Sequence, residues 1–477
     1  MSTVDLLIIG LYLVGMIAIG FFARGQIETM DDFILGGRRF SSFALIGTIM
    51  ATMVGSGMTM GAVGNAYKYG ATGTVFWMYA GFALGLIFFG LLAGKIRETG
   101  KRTMAEVISE KFGNSSRLVA SIVIILYAIS IVAINIAGLR NIIIYVFGEG
   151  LTISLPVATA IAAIISIGYT SIGGFFAVVY TDVVQLIIMI IGIFILGPII
   201  GLTQTGGFAP IATAFADAGM SMTNPFVGGV SAGSVGFFLA YFLAVPGDPT
   251  MPQRALAAKD YKTARSSFLV TGAMGFYFGI VLLLLGGVMF VLHPGLENAE
   301  AALPIFVLNH YPPVLRGITI AGIIAAIMSS FDSFLILATT HLMYDMGHAL
   351  KQDVNEERLN KAMPVATVVI GLIGLIIALY IQSLFAYLYM VFSIVGAALV
   401  PALLAALFFS EKTSKTAVVL SILTGTIVPA GLYLTVGYNV FLGDPVFLGL
   451  IASVAVLVVG SMALKDKPEE RAASEAK

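Results

Sequence analysis

Residues 322–345 read GIIAAIMSSFDSFLILATTHLMYD. Most of this stretch is apolar enough to sit in lipid, yet Ser329, Ser330, Asp332 and Ser333 fall within five residues at its centre. An acid in the middle of an apolar helix costs about 2.5–3.5 kcal/mol on insertion, so such groups face the protein interior or a water-filled cavity. Hydroxyl and carboxylate oxygens suit a hard cation. Serines alone also join membrane helices through hydrogen bonds. Asp332 tips the reading towards an ion site.

The surrounding composition agrees. Of 477 residues, 59% are hydrophobic and only 10% are charged, where a soluble domain carries about 25% charged residues. No soluble interior hides that much apolar surface, so the solvent is a bilayer. The formal net charge of zero argues against nucleic acid, which needs a basic footprint. With no cysteine, the chain has no disulfide framework, thiolate metal site or thiol nucleophile. The four histidines, His293, His310, His341 and His348, lack metal-binding helical spacing. There is no P-loop, and no serine–histidine–acid set or carboxylate pair suggests an enzyme. The partners expected are a small-molecule solute and the lipid bilayer, with no obligatory protein partner evident.

Hydropathy gives about thirteen candidate spans, near 4–23, 43–66, 72–94, 118–146, 151–174, 178–203, 229–250, 266–292, 313–345, 363–382, 384–409, 415–437 and 444–464. The first lacks the basic start and small-residue cleavage site of a signal peptide and reads as a retained span. With the N-terminus outside, 22 of the 25 lysines and arginines fall in inner loops, Arg254 among them. Only Lys68, Arg140 and Arg316 fall outside. That asymmetry predicts an outer N-terminus and a cytoplasmic tail at 465–477.

Two spans are broken. Gly55-Ser56-Gly57-Met58-Thr59-Met60-Gly61-Ala62-Val63-Gly64 puts four glycines in ten residues, each weakening a helix by about 1 kcal/mol relative to alanine. Val245-Pro246-Gly247-Asp248-Pro249-Thr250-Met251-Pro252 holds three prolines, which remove backbone donors and free the carbonyls those donors would meet. Irregular backbone at membrane depth is tolerated where it is buried in protein or lines a cavity. The two breaks open successive blocks of five spans. Five is odd, so the second block is inverted, the pattern that marks a secondary transporter's binding site.

At this point the chain resembles the sodium:solute symporter family over about residues 1–465. Asp31-Asp32-Phe33-Ile34-Leu35-Gly36-Gly37-Arg38-Arg39 is similar to the family's entry to the first core helix. Ala51-Thr52 with Gly55, Gly57, Gly61, Gly64, Tyr67 and Gly70 resembles its broken helix. Gln253-Arg254-Ala255-Leu256-Ala257-Ala258-Lys259-Asp260 resembles the stretch after the second break. Ala325-Ala326-Ile327-Met328-Ser329-Ser330 resembles the sodium-site helix. The resemblance implies an all-α LeuT-type fold: an extra helix at 1–24, repeats at 43–203 and 229–409, and two extra helices at 415–464. It implies sodium as coupling ion, with no organic cofactor. The ion would be held by the carbonyls of Ala51, Val54 and Ala326 and the hydroxyls of Ser329 and Ser330. A candidate second cation or proton site would combine Asp182, Ser329, Asp332 and Ser333, where Asp332 stands in place of a family serine.

Substrate is expected at mid-membrane between the breaks, near Ser56, Met58, Thr59, Phe76, Trp77, Asp248 and Thr250, with Tyr387 and Tyr389 as candidate gates. The resemblance implies that residues 58–77 lack the polar side chains that sugar carriers use at matching positions, and no intramembrane lysine or arginine is seen to await a solute carboxylate. Asp248 favours a cationic or zwitterionic solute, unless it is an internal hydrogen-bond partner. The reading is a sodium-coupled symporter of a small organic solute in a prokaryotic inner membrane. The alternatives are a proton-coupled transporter or exchanger on the same fold, and a membrane-embedded solute sensor.

Overall fold

The computed structural model describes residues 1–25, 29–147, 154–227, 230–350, 356–437 and 444–464; the expected tail at 465–477 lies outside the described residues. Helix α1 (Thr3–Arg24) starts with Ser2 and Asp5 each bonding the other's backbone N–H. The short α2 (Met30–Leu35) precedes the first broken span. That span comprises α3 (Ser42–Met53), a π-helical turn over Gly57–Gly61, and α4 (Ala62–Tyr69). Next come α5 (Val75–Glu98), the short α6 (Met104–Phe112) and the long α7 (Asn114–Phe147). Helix α8 (Leu155–Met189) is two helices joined at Gly174, whose φ of 57° interrupts the α-helical path. Hydropathy places the limit between two spans at the same point. A π turn over Ile190–Ile195 leads into α9 (Leu196–Thr205), then α10 (Phe208–Asp217).

The second broken span is α11 (Ala232–Gly247) and α12 (Thr250–Ala257). Helix α13 (Tyr261–Leu292) follows, then the short α14 (Ala302–His310) and α15 (Leu315–Thr340). A π turn over His341–Asp345 joins α15 to α16 (Met346–Ala349). The chain continues through α17 (Glu356–Ala378), α18 (Leu384–Phe408), α19 (Lys415–Thr435) and α20 (Pro445–Ala463). Among the described residues, ten helices are long and apolar enough to cross a membrane, and the bent pair of the first broken span is an eleventh. Shorter apolar helices over Leu155–Ile167 and Gly233–Gly247 fall where the fifth and seventh spans are expected.

Each break has a local cause. Val54 leaves α3 at φ −95° and ψ 43°, and the axis turns by 66° into the second half. In the other span, Pro246 removes a donor near the end of α11, and Asp248 is extended at φ −75° and ψ 114°. The two motifs after residues 31 and 253 meet in space. Phe40 N–H donates to Ala257 O, Lys259 N–H donates to Phe40 O, and Gln253 Nε2 donates to Ile34 O at 2.9 Å. The approaches to both broken spans are thus tied together.

Helix α15 is the centre. From Thr319 to Thr340 every residue is buried, as expected of a helix that is apolar all round. It packs on α1, α3, α7, α8 and α17. The outer surface is apolar too, with Leu11, Phe22, Val459 and Met462 exposed. In water that surface would be a severe aggregation liability; in a bilayer it is the lipid face.

Candidate functional site

The Val54–Ser56 break lies directly against α15. A Cβ on Gly55 would stand 2.5 Å from Ser330 Oγ, so only glycine permits this approach. Ser329 Oγ donates to Ala51 O at 2.8 Å and to Ala326 O at 3.1 Å, and Ser330 Oγ donates to Thr52 O. Three of the expected sodium ligands, Ala51, Ala326 and Ser329, therefore share hydrogen bonds. Ser330 reaches the carbonyl one residue past Ala51. Val54 sits in the break, its N–H on Ala51 O at 3.4 Å. All five residues are buried. The donor set is carbonyl and hydroxyl oxygen throughout, the chemistry a hard cation takes.

Beside this cluster the structure corrects the sequence reading. Arg254, counted as an inner-loop cation, is fully buried. Helix α12 continues past its prolines, so Arg254 stands one turn after Thr250 and points inward, its Nη1 donating to Thr250 O at 3.2 Å. Its Nη2 meets Thr52 Oγ1, Ser333 Oγ at 2.7 Å and the Asp182 carboxylate at 3.6 Å, and its Nε meets Thr48 Oγ1 at 3.2 Å. Thr48 Oγ1 in turn donates to Asp182 Oδ2 at 2.5 Å. The charge among Asp182, Thr52 and Ser333 is thus balanced by the protein's own guanidinium. The expectation that no arginine lies among the spans awaiting a solute carboxylate missed Arg254, which is engaged by Asp182 and its neighbours. Removing Arg254 from the loop count leaves the charge asymmetry intact.

Asp332 does not join Asp182 and Ser333. It turns to the first half of α8, where it accepts from Thr170 Oγ1. Asp248 proves to be an internal hydrogen-bond partner. It accepts from Thr250 N–H at 2.8 Å and from Tyr127 O–H at 3.0 Å, so it caps α12 rather than awaiting a cationic solute. Thr250 Oγ1 is buried and has no hydrogen-bond partner among the described residues.

A cavity of ≈ 20 Å³ adjoins the ion cluster, room for about one water. Its walls are Thr52, Met53, Gly55, Ser56, Gly57 and Met58 from the broken span, Ile131, Ile134 and Asn135 from α7, Ser330 and Phe334 from α15, and Leu388 and Phe392 from α18. Ser56 and Met58 fall where they are expected. Thr59 bonds back to Gly55 O at 2.9 Å instead. Asn135 holds the break open: its Oδ1 accepts from Ser56 N–H and Oγ, both at 3.2 Å. An amide at the middle of the apolar fourth span is the signal that its sequence carried.

None of the four aromatic residues expected near the substrate lines this cavity. Phe76 and Trp77 pack edge-on against each other and against Phe226, at 5.4 to 6.4 Å between centroids, and do not line the cavity. Tyr389 stacks on Phe237 at 3.8 Å and donates to Asp444, turning towards α11 and α20. Tyr387 is half-buried on another face of α18. The residue between the two tyrosines, Leu388, roofs the cavity, and a Cβ on Gly57 would meet its Cδ2 at 2.7 Å.

Beyond that roof lies an open vestibule of ≈ 320 Å³ lined partly by Asn65, Lys68, Glu297, Asn298 and Gln382. Its edge is a lid, residues 293–310. Glu300 on the lid accepts from Ser383 Oγ at 2.8 Å, Leu384 N–H at 3.0 Å and Phe385 N–H at 3.1 Å, capping α18 with a carboxylate. At the opposite end of α15, Asp345 pairs with Arg117 at 2.8 Å and accepts from Thr103 at 2.9 Å.

Comparison with known proteins follows the same lines. Residues 33–425 match the model of the Sodium:solute symporter family. The osmoregulated proline transporter OpuE of Bacillus subtilis is 26% identical over 86% of this chain and 85% of its own length. The sodium/proline symporter of Escherichia coli is 27% identical over 87% and 85%. Among solved structures, the substrate-bound, outward-open state of a Na+-coupled sialic acid symporter superposes with a TM-score of 0.81. It has 20% identity and covers 97% of this chain and 98% of that one.

Proposed function

Because the chain belongs to the sodium:solute symporter family, whose members are membrane transporters rather than enzymes, we propose that it imports a small organic solute together with sodium by alternating access. The observation that carries this reading is the buried oxygen cluster between the α3 break and α15, built by Ala51, Ala326, Ser329 and Ser330. Sodium there would bridge the broken span to the central helix, with Val54 supplying a further carbonyl. In this reading residues 43–203 and 229–409 are the two inverted repeats, within about thirteen spans. The chain lies in a prokaryotic inner membrane with its N-terminus outside and its C-terminus cytoplasmic.

The solute would occupy the space between Ser56, Met58, Asn135 and Leu388, enlarged when α18 lifts. Methionine, isoleucine and phenylalanine dominate the walls, which suits a compact, largely apolar body and not a polyol. Two relatives are named for proline, so proline is the first solute to test. Coupling needs sodium and solute to favour the same state, since equal binding to both states shifts nothing. Arg254 stands 3.6 Å from Asp182, where a second cation would sit, so sodium at the Ser329–Ser330 cluster is the driving ion in this reading and a proton is the alternative.

Proteoliposomes decide between these ions. Uptake should follow an inward sodium gradient and fail with a pH gradient in potassium buffer; the reverse result selects the proton-coupled alternative. Ser329→Ala and Ser330→Ala each remove one hydroxyl ligand, an interaction with a charged group of about 1.5–3 kcal/mol, so half-saturation by sodium should rise about 10- to 100-fold. An unchanged sodium curve in both variants sinks the assignment.

A further inference from the structure

On the membrane face opposite the lysine- and arginine-rich loops, His293 ends α13 and His310 ends α14. Their Nε2 atoms lie 2.8 Å apart, with ring centroids 5.1 Å apart, so the two nitrogens meet nearly head-on. That is the geometry of an N–H···N hydrogen bond. Two lone pairs converging on one metal ion would need splayed rings. We propose that this imidazole pair is a proton-operated latch that holds the lid over the central cavity; the proposal rests on reading that cavity as the transport site.

The chemistry leaves few states. With both rings neutral, one Nε2–H donates to the other ring's lone pair. With one ring charged the bond survives. With both charged, two N–H groups face each other and the bond is lost. His310 is pushed below its ordinary value by partial burial and by His293. Lid closure tied to the pair therefore holds at neutral pH and falls away only as the second ring takes its proton, below the ordinary histidine value. No acid pairs with either ring among the described residues. Of the charged groups on the packed elements, Glu300 is engaged by α18, Arg316 of α15 by Asp5 of α1, and Lys68 of α4 and Glu297 of the lid are exposed at the vestibule.

What the latch controls is set by the rest of the lid. Tyr67 O–H donates to His293 O at 2.9 Å and accepts from Leu296 N–H at 2.9 Å. The lid backbone at Ala299 presses on Gly64 so closely that a Cβ there would stand 2.7 Å from Ala299 O. Glu300 then caps α18, the helix that carries the cavity's roof, Leu388. Freeing the ends of the lid loosens its hold on both α4 and α18.

The chain has no cysteine, so Met58→Cys places a single thiol in the cavity. Its reaction with a neutral maleimide, corrected for thiolate fraction, should quicken about fivefold between about pH 7.5 and about pH 5, what one lost hydrogen bond is worth in an open–closed equilibrium. Adding His293→Ala or His310→Ala, which leaves no hydrogen-bonding group, should make labelling fast at both pH values. A pH response that survives both substitutions, or labelling as slow as the parent at neutral pH, overturns the latch. In the unaltered protein, amide exchange over residues 294–310 should lose protection on acidification beyond the chemical rate, and unchanged protection also overturns it. Both measurements are run in sodium and in potassium. An acid response that is intact while sodium has no effect on labelling counts against the transport reading alone.

Discussion

Gly55→Ala puts the closest contact of the site under strain. The added Cβ would lie 2.5 Å from Ser330 Oγ, and 3.0 Å from both Ser330 Cβ and Asn135 Oδ1. Rotating the serine hydroxyl away does not help, because its Cβ and the Asn135 oxygen close the space from two sides. Asn135 is itself committed to Ser56. The broken span and α15 must then part by several tenths of an ångström, and overpacking of this kind costs about 1–3 kcal/mol. Parting stretches the Ser329–Ala51 and Ser330–Thr52 bonds together, so the cost falls on the geometry that gathers the oxygens proposed to hold sodium. At 1.4 kcal/mol per factor of ten, half-saturation by sodium should rise about 5- to 140-fold. The control is Gly15→Ala on lipid-facing α1, where a Cβ meets nothing within 4 Å; its sodium curve should match wild type. The assay is solute uptake against sodium at constant ionic strength, paired with sodium-dependent thermal stabilisation. Wild-type sodium dependence in Gly55→Ala, with normal expression, would falsify the claim that this contact organises the ion site.

Two further outcomes follow from side-chain placement. Arg254→Gln leaves Asp182 buried without its cation, a loss of about 3–5 kcal/mol that should show as a large fall in melting temperature. Adding Asp182→Asn should recover much of it, and a double variant no more stable than the single one would argue against a functioning ion pair. Trp77 packs on Phe226 away from the cavity, so its fluorescence should not respond to sodium or solute, whereas a tryptophan placed at Phe392 should; a saturable sodium signal from Trp77 would contradict its placement.

The parts legible in the sequence are those governed by composition and by backbone chemistry. Lipid-length apolar runs announce the helices, and glycine and proline announce where two of them break, because both residues act locally. Ser329 and Ser330 stand out because hydroxyls are conspicuous in an apolar helix. What escapes is orientation. In α18, leucine, tyrosine and methionine succeed one another with no polar stripe to set the phase, so Leu388 faces the cavity while Tyr389 turns to Asp444. Phe76 and Trp77 find their partner, Phe226, in a distant loop that no local pattern connects to them. Arg254 looks like a loop cation because it follows three prolines. Only the continuation of α12 turns it inward to Asp182.

The π turn at His341–Asp345 has a consequence of another kind. A turn of that type holds one residue more than an α-helical turn, and rotates everything after it by about 100°. Asp345 meets Arg117 and Thr103 in that rotated setting. Here the chain has converted a change in length into a change in direction, at the end of a helix whose other residues cannot turn because they are enclosed on every side. An insertion or deletion in this turn would re-aim the Asp345 contacts with Arg117 and Thr103 without moving Ser329 or Ser330. The two ends of the central helix are thus free to diverge separately in descendants of this sequence.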